Sequence, residues 1–401
     1  MARLACLFAG LLLWTGAFAQ TENASALEAR LQSIEQLLQT RPSDGLLIYY
    51  RAMTQAGLGR REAALADLES LLGRRLGLIP LRDDGFIQIW EDQTFQRLRQ
   101  QLAAEEPVTP QPAKVFARLP DPKLIPEGIA HDARRQRYFV GSIAQNKVVV
   151  LDRHGRSRDW SSPRDQLDAV LGLAVDAQRQ LLWAVSNNAP KQPRRNTLVA
   201  WELAGGRLKH QVAVPAALQL NDLAVAPDGT LWVSDSEAGA LYRLRPGAAE
   251  AEQAVAAGRL RGANGVALAP EGDIFVTLNT GIAKVDATEF SVTRLPQPEA
   301  VVTGGIDGLY WYRGDLIGVQ NGPNPGRVLR IHLDAKRERI LGLTVLQSHH
   351  HPEFDEPTTG AIVGDEIVVL ANSQIARRKP DGQLIAPETL RAPVLLRLRL
   401  N

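Results

Sequence analysis

The chain has 401 residues, and its 46 Lys and Arg against 44 Asp and Glu leave a net charge of +2. That length holds more than one domain with a sizeable core. Basic residues are scattered in short strings such as "RRQR", which excludes a nucleic-acid binder built on a concentrated basic stripe.

The N-terminus, "MARLACLFAGLLLWTGAFAQ", places Arg3 before an apolar run that ends on Ala17-Phe18-Ala19. A positive start, a short apolar core and a small-x-small site predict a signal peptide over residues 1–19 and a periplasmic or secreted protein. The apolar run is too short to span a bilayer, so no membrane span is expected in the mature chain. Cys6 is the only cysteine and lies inside this segment. The mature chain is therefore expected to have no disulfide and no Cys metal ligand.

Residues 20–104 predict a small helical domain. "ALEARLQSIEQLLQ" spaces its apolar residues by three and four, and Ser43 or Asp44 suits the N-cap of the next helix. Tyr50, Gly57, Ala63 and Ala64 fall where a tetratricopeptide-like helix pair packs, although a plain helical bundle fits equally well. "FIQIWEDQTFQRLRQQL" reads as the last helix, and the Pro-rich stretch over residues 105–113 reads as a linker.

Residues 114–401 repeat one pattern six times. The copies begin at Glu127, Leu171, Asn221, Asn264, Asp307 and Thr359, at intervals between 43 and 52 residues. Each has a starter residue, a short apolar strand, a turn, a second apolar strand and a polar end, with further strands following. Units of this length with about four strands are propeller blades. The expected fold is an all-β six-bladed propeller behind a small all-α domain. Pairing of "KVFARL" with the C-terminal "VLLRLRL" would close the ring.

A tight turn puts the start of each first strand and the end of each second strand on one face. The starters should therefore gather around the channel mouth. Ser142, Asn187, Asp235, Asn279, Asn321 and Asn372 should form a wider ring. Four starters are carboxylates or amides, and Asp222 adds a carboxylate beside Asn221. Such oxygen donors suit a hard divalent cation, with calcium the first expectation. The competing reading is that Asn and Asp at strand starts satisfy loose backbone groups.

At these residues the chain resembles a known family. "IPEGIAHD", "LQLNDLAVAPDG", "GANGVALAPEG" and "GIDGLYW" look like the motifs of the senescence-marker-protein (regucalcin-like) and gluconolactonase-like propellers, and the Asn-Asp and Ala-Asn-Gly motifs are similar to those of the paraoxonases. The resemblance implies a divalent-metal-dependent lactonase or esterase, with a small lactone or ester as substrate. It implies Glu127, Asn264 and Asp307 as metal ligands, Asn221 facing the substrate or completing the metal shell, and Asp307 orienting or deprotonating the attacking water. Asp222, Asn187, Asp235 and Asn321 are expected to orient the substrate around them. Sugar-lactone members carry Arg two residues before the blade-three Asn, whereas this chain has Gln219.

The loop "SHHHPEFDEP", Ser348 to Pro357, should arch over the same face. A histidine there, with His350 central, could shuttle protons, and Glu353, Asp355 or Glu356 could approach the metal. A solvated loop between blades is the alternative. Two other functions fit the pattern: a cell-envelope binding or scaffold propeller with a structural calcium ion, its protein partner engaged through the helical domain, and a strictosidine-synthase-like propeller that needs no metal. Metal content separates the last from the others, and turnover of lactones and esters separates the first from the second.

Overall fold

The computed structural model describes residues 24–106 and 113–401. The expected signal peptide and most of the expected linker lie outside the described residues. Four α-helices come first: α1 (Ala24–Thr40), α2 (Gly45–Gly57), α3 (Arg61–Glu69) and α4 (Gln93–Ala104). Asp44 starts α2 by accepting from the Leu46 and Leu47 amides at 3.1 and 3.2 Å, satisfying two of the first-turn donors. The last helix begins later than the apolar pattern predicts. Asp92 accepts from the Phe95 amide at 2.9 Å and sets the start there, while Phe86–Ile89 forms short irregular turns. Tyr49, Phe86 and Phe95 pack at the centre of this helical core.

Six four-stranded antiparallel sheets follow. Five are made from consecutive strands. The sixth joins both ends of the propeller region: Lys114–Arg118 pairs with Val394–Arg399, in register Lys114↔Arg397. The ring is closed by antiparallel hydrogen bonds between residues far apart in sequence, as the two apolar runs predict. Between neighbouring blades the strands bury apolar clusters, such as Trp183, Val185, Leu223 and Val233 between blades two and three.

The blade-three hairpin shows how residue types set local geometry. Asp228 accepts from the Thr230 amide at 2.8 Å, and Gly229 supplies the positive φ of 91° that the turn needs. The strands pair Leu223↔Val233 and Leu220↔Asp235, with the register slipping between Leu220 and Leu223. Similar irregularities fall at Glu127-Gly128, Leu171-Gly172 and Asp307. A bulge lifts a residue out of the ladder and re-aims its side chain, and the starters Glu127, Leu171, Asn221 and Asp307 sit on these bulges.

The residue after the starter is Gly in five blades and Asp222 in blade three. A Cβ on Gly128 would lie 2.0 Å from the Leu171 carbonyl oxygen, and one on Gly265 would lie 2.4 Å from that of Asp307. These glycines let adjacent inner strands approach closely around the channel.

The helical unit rests on the starter face, over blades four and five. Val302 is buried in the helical core, and the Ile79 amide bonds the Asn324 carbonyl oxygen at 2.9 Å.

Candidate functional site

The starters meet at one mouth of the channel. Glu127 is 5 % exposed and Asp307 is 3 % exposed. The Asn321 amide donates to Asp307 Oδ2 at 2.7 Å, and the Asn264 side chain favours the charged form of that carboxylate. Asn221 donates to Ser236 Oγ at 2.8 Å. Thr358 and Thr359 hold the Glu127 segment by donating to its carbonyl oxygen. Asn264 and Asn321 thus act on Asp307, and the charges of Asp307 and Asp222 reach Glu127 from other blades.

Electrostatically the site lacks positive charge. Burial, with the charges of Asp307 and Asp222 added, drives Glu127 well above the ordinary carboxylate range. Burial pushes Asp307 up to about 7 against the opposing bonds from Asn321 and Asn264. Asp222 is likewise pushed up to about 7 by burial, although backbone amides of Val266 and Leu223 favour its charged form. Two buried acceptors, Glu127 Oε2 and Asn221 Oδ1, have no hydrogen-bond donor among the described residues. Buried polar atoms are rarely left without a partner, so this deficit fits an oxygen-seeking cation. No three His, Cys, Asp or Glu side chains form a metal cluster by themselves among the described residues. The donor set that fits mixes carboxylates with the amides of Asn221 and Asn264.

Beyond this layer the channel widens into a cavity of about 560 Å³ along the inner strands. Asp222 and Tyr310 line it, whereas Glu127, Asn221, Asn264 and Asp307 do not. Asp222 replaces a wall glycine, and its Oδ2 accepts from the Val266 amide of blade four at 3.0 Å. It therefore braces two blades at the boundary between mouth and channel, rather than standing open in the mouth. Tyr310 is half-buried, accepts from the Gly360 amide at 2.7 Å and feels the charges of Asp222, Asp307 and Glu127. Sequence reasoning missed Tyr310. Its only signal was a polar-tipped aromatic three residues after a starter.

The wider ring has a different role from the one expected. Asn187 donates to the Leu220 carbonyl oxygen at 2.6 Å and accepts from the Ala189 amide at 3.0 Å. Asp235 accepts from the backbone amides of Leu218, Gln219 and Ala238 at 2.8, 3.0 and 2.8 Å. Both staple the irregular segments beside the inner strands, because backbone groups there have no ladder partner. Asn321 alone of the three reaches the site, and it does so through Asp307.

The histidine loop also divides. His350 is exposed, and its Nδ1 bonds Ser348 Oγ at 2.8 Å. Its charge acts on Glu106, at the end of the helical unit. His351 Nε2 bonds the Ala113 carbonyl oxygen at 3.1 Å. The histidines thus border the junction of helical unit and propeller, and the structure does not bring His350 to Asp307. Glu353 pairs with Arg118 and Asp355 with Arg391. Glu356 turns inward instead: its oxygens accept from the Ala376 amide at 3.1 and 3.2 Å. Burial pushes it up to about 8, with the charges of Asp355 and Asp307 adding to the effect.

No family model and no curated protein sequence matches the chain. Solved structures do. A gluconolactonase from Xanthomonas campestris is 17 % identical, with 74 % of this chain and 98 % of that one covered and a TM-score of 0.50. A glucose-dehydrogenase-type oxidoreductase from Thermus thermophilus is 18 % identical over 72 % and 99 % of the two chains, with a TM-score of 0.47. Virginiamycin B lyase from Staphylococcus aureus is 12 % identical over 70 % and 97 %, again with a TM-score of 0.47. At 17 % identity the likeness to the gluconolactonase is one of fold alone.

Proposed function

We propose that this chain is a divalent-metal-dependent hydrolase of the lactonase or esterase type, close in its site motifs to the senescence-marker-protein group. The observation that carries the reading is the pair of buried acceptors without donors, Glu127 Oε2 and Asn221 Oδ1, beside carboxylates whose burial resists ionisation. Glu127, Asn221, Asn264 and Asp307 would hold the cation, with calcium first because all are oxygen donors. Bound there, a divalent cation supplies the positive charge that polarises a lactone or ester carbonyl. Asp307, aligned by Asn321 and Asn264, is the group to take a proton from the attacking water. Asn221, tethered by its amide to Ser236, keeps its oxygen directed at the site. Arg3, the apolar run and the Ala17-Phe18-Ala19 site support export to the periplasm or beyond, and the spacing in α2 and α3 supports a tetratricopeptide-like origin for the helical unit.

One observation favours a second reading, a binding propeller with a structural cation. Asn187 and Asp235 are committed to backbone groups, so the face has fewer side chains free to handle a substrate. Calcium titrated by calorimetry into chelator-treated protein, followed by a screen of lactones and aryl esters, tests both. Wild type should bind calcium, Glu127→Gln and Asp307→Asn should bind it at least tenfold more weakly, and Asp307→Asn should lose about 100-fold or more in turnover. Calcium binding without any turnover selects the scaffold. No binding by wild type, or equal binding by all three, removes the cation site.

A further inference from the structure

We propose that the helical unit is a clamp on blade five, and that Asp84 and Asn324 are positioning residues for the Asp307 carboxylate. The inference rests on the reading of Asp307 as part of the cation site. It assigns the helical unit a task in the propeller's chemistry.

The strand Ile306–Tyr312 carries Asp307, and the helical unit grips both its approach and the loop beside it. On the approach, Val302 is buried among the helical side chains. Gly304 lies so close under α2 that a Cβ there would be 2.3 Å from Leu46 Cδ2. In the loop, Asn324 Nδ2 donates to both oxygens of Asp84 at 2.8 Å each, and the Asn324 carbonyl oxygen accepts from the Ile79 amide at 2.9 Å. The chain between α3 and α4 therefore holds Asn324 by side chain and backbone together.

Three residues earlier in the same loop is Asn321. Its Nδ2 donates to Asp307 Oδ2 at 2.7 Å and to the Pro357 carbonyl oxygen at 2.9 Å. Its backbone amide and that of Gly322 both bond the Gly305 carbonyl oxygen, at 3.2 and 2.9 Å. The loop that Asp84 fastens is thus the loop that orients the carboxylate.

A second line of contact runs inside the blade. Arg327 is 2 % exposed, and its Nη1 donates to the Leu76 carbonyl oxygen at 3.1 Å. Its Nε and Nη2 donate to Gln320 Oε1 at 3.0 and 2.6 Å. Gln320 in turn donates to the carbonyl oxygens of Val302 and Gly304 at 3.2 and 2.8 Å, and it pairs in register with Ile306, the residue before Asp307. Gly77 makes this contact possible, because a Cβ there would lie 2.1 Å from Arg327 Nη1. A docking surface of merely adhesive value would need neither the two glycines nor a fully buried arginine. Groups that hold a ligating carboxylate in place typically control metal affinity by about 10–100-fold.

The test compares Asp84→Ala, Asp84→Asn and Ser43→Ala in the full chain. Ser43 contacts Glu299 across the same interface without touching the loop. Two readouts are used: amide hydrogen exchange over residues 305–326, and calcium affinity by calorimetry. Asp84→Ala should speed exchange at Asn321 and Gly322 and weaken calcium binding about tenfold. Asp84→Asn retains an acceptor for Asn324 and should restore both, and Ser43→Ala should change neither. Unchanged exchange in Asp84→Ala overturns the clamp. Faster exchange with calcium affinity equal to that of wild type overturns the positioning role. If wild type binds no calcium, the cation reading fails separately, and exchange alone decides the clamp.

Discussion

Asp235 and Asp307 lie on the same face of the propeller, and both are buried, at 0 % and 3 % exposure. Asp235 ends a second strand and accepts three backbone amides. Asp307 sits near the start of a first strand, among other carboxylates, and only side-chain amides support it. Asp235 has its own donors, whereas Asp307 and its neighbour Glu127 lack enough positive charge to ionise comfortably. Residue type and burial therefore say little about role; the supply of donors does. In the outer ring the protein supplies them from its own backbone. In the inner ring it leaves acceptors over, and those are the groups a cation can use.

The strongest test of this contrast is Asp235→Ala. It removes the acceptor for three amides and should cost about 3 kcal/mol, read as a lowered urea midpoint. Calcium affinity of the folded fraction should not change. A loss of calcium binding with stability intact would place Asp235 in the inner class and break the distinction.

The pH dependence of metal-free protein gives an effect that is smaller over any one pH unit. Asp307 titrates at about 7 when folded, against an ordinary value of 3.8. Between those values the folded form keeps a proton that the unfolded chain has released. Its contribution is therefore full below about pH 4 and is lost as pH rises through 7. Compared with Asp307→Asn in chelator, wild type should lose up to about 1.4 kcal/mol more per pH unit across that window. Parallel stability curves for the two proteins would show that Asp307 is not starved of charge.

The smallest expected effect belongs to the histidine loop. His350→Gln should shift stability by less than about 0.5 kcal/mol, because the ring is exposed and its hydrogen bond is to the nearby Ser348. Calcium affinity should be unchanged. A tenfold change in affinity would return His350 to the site.

Much of the fold was legible because its signals are local and repeated. The Asp228-Gly229 turn, the alternating strands and the polar starters recur in phase, and two apolar runs at the ends of the propeller region had one another as natural partners. The site was half legible. Glu127, Asn221, Asn264 and Asp307 were marked by their shared repeat position. Glu356 was one of three acids in its loop, and only the arginines that pair with Glu353 and Asp355 separate it from them. Tyr310 and the clamp left no comparable trace, since Arg327 reads as an ordinary basic residue at the start of a strand.

The sequence by itself determined the number of blades, the side of each blade that carries polar residues and the oxygen-donor character of the mouth. Each follows from spacing within a repeat. The tertiary structure alone decided which polar residues are satisfied and which are left over. The bond from Asp222 to Val266 and the grip of Asp84 on Asn324 join residues that no repeat brings together. A buried oxygen is starved or fed only by the donors within about 3 Å of it, and that neighbourhood exists only once the blades have closed into a ring and the helices have docked on it.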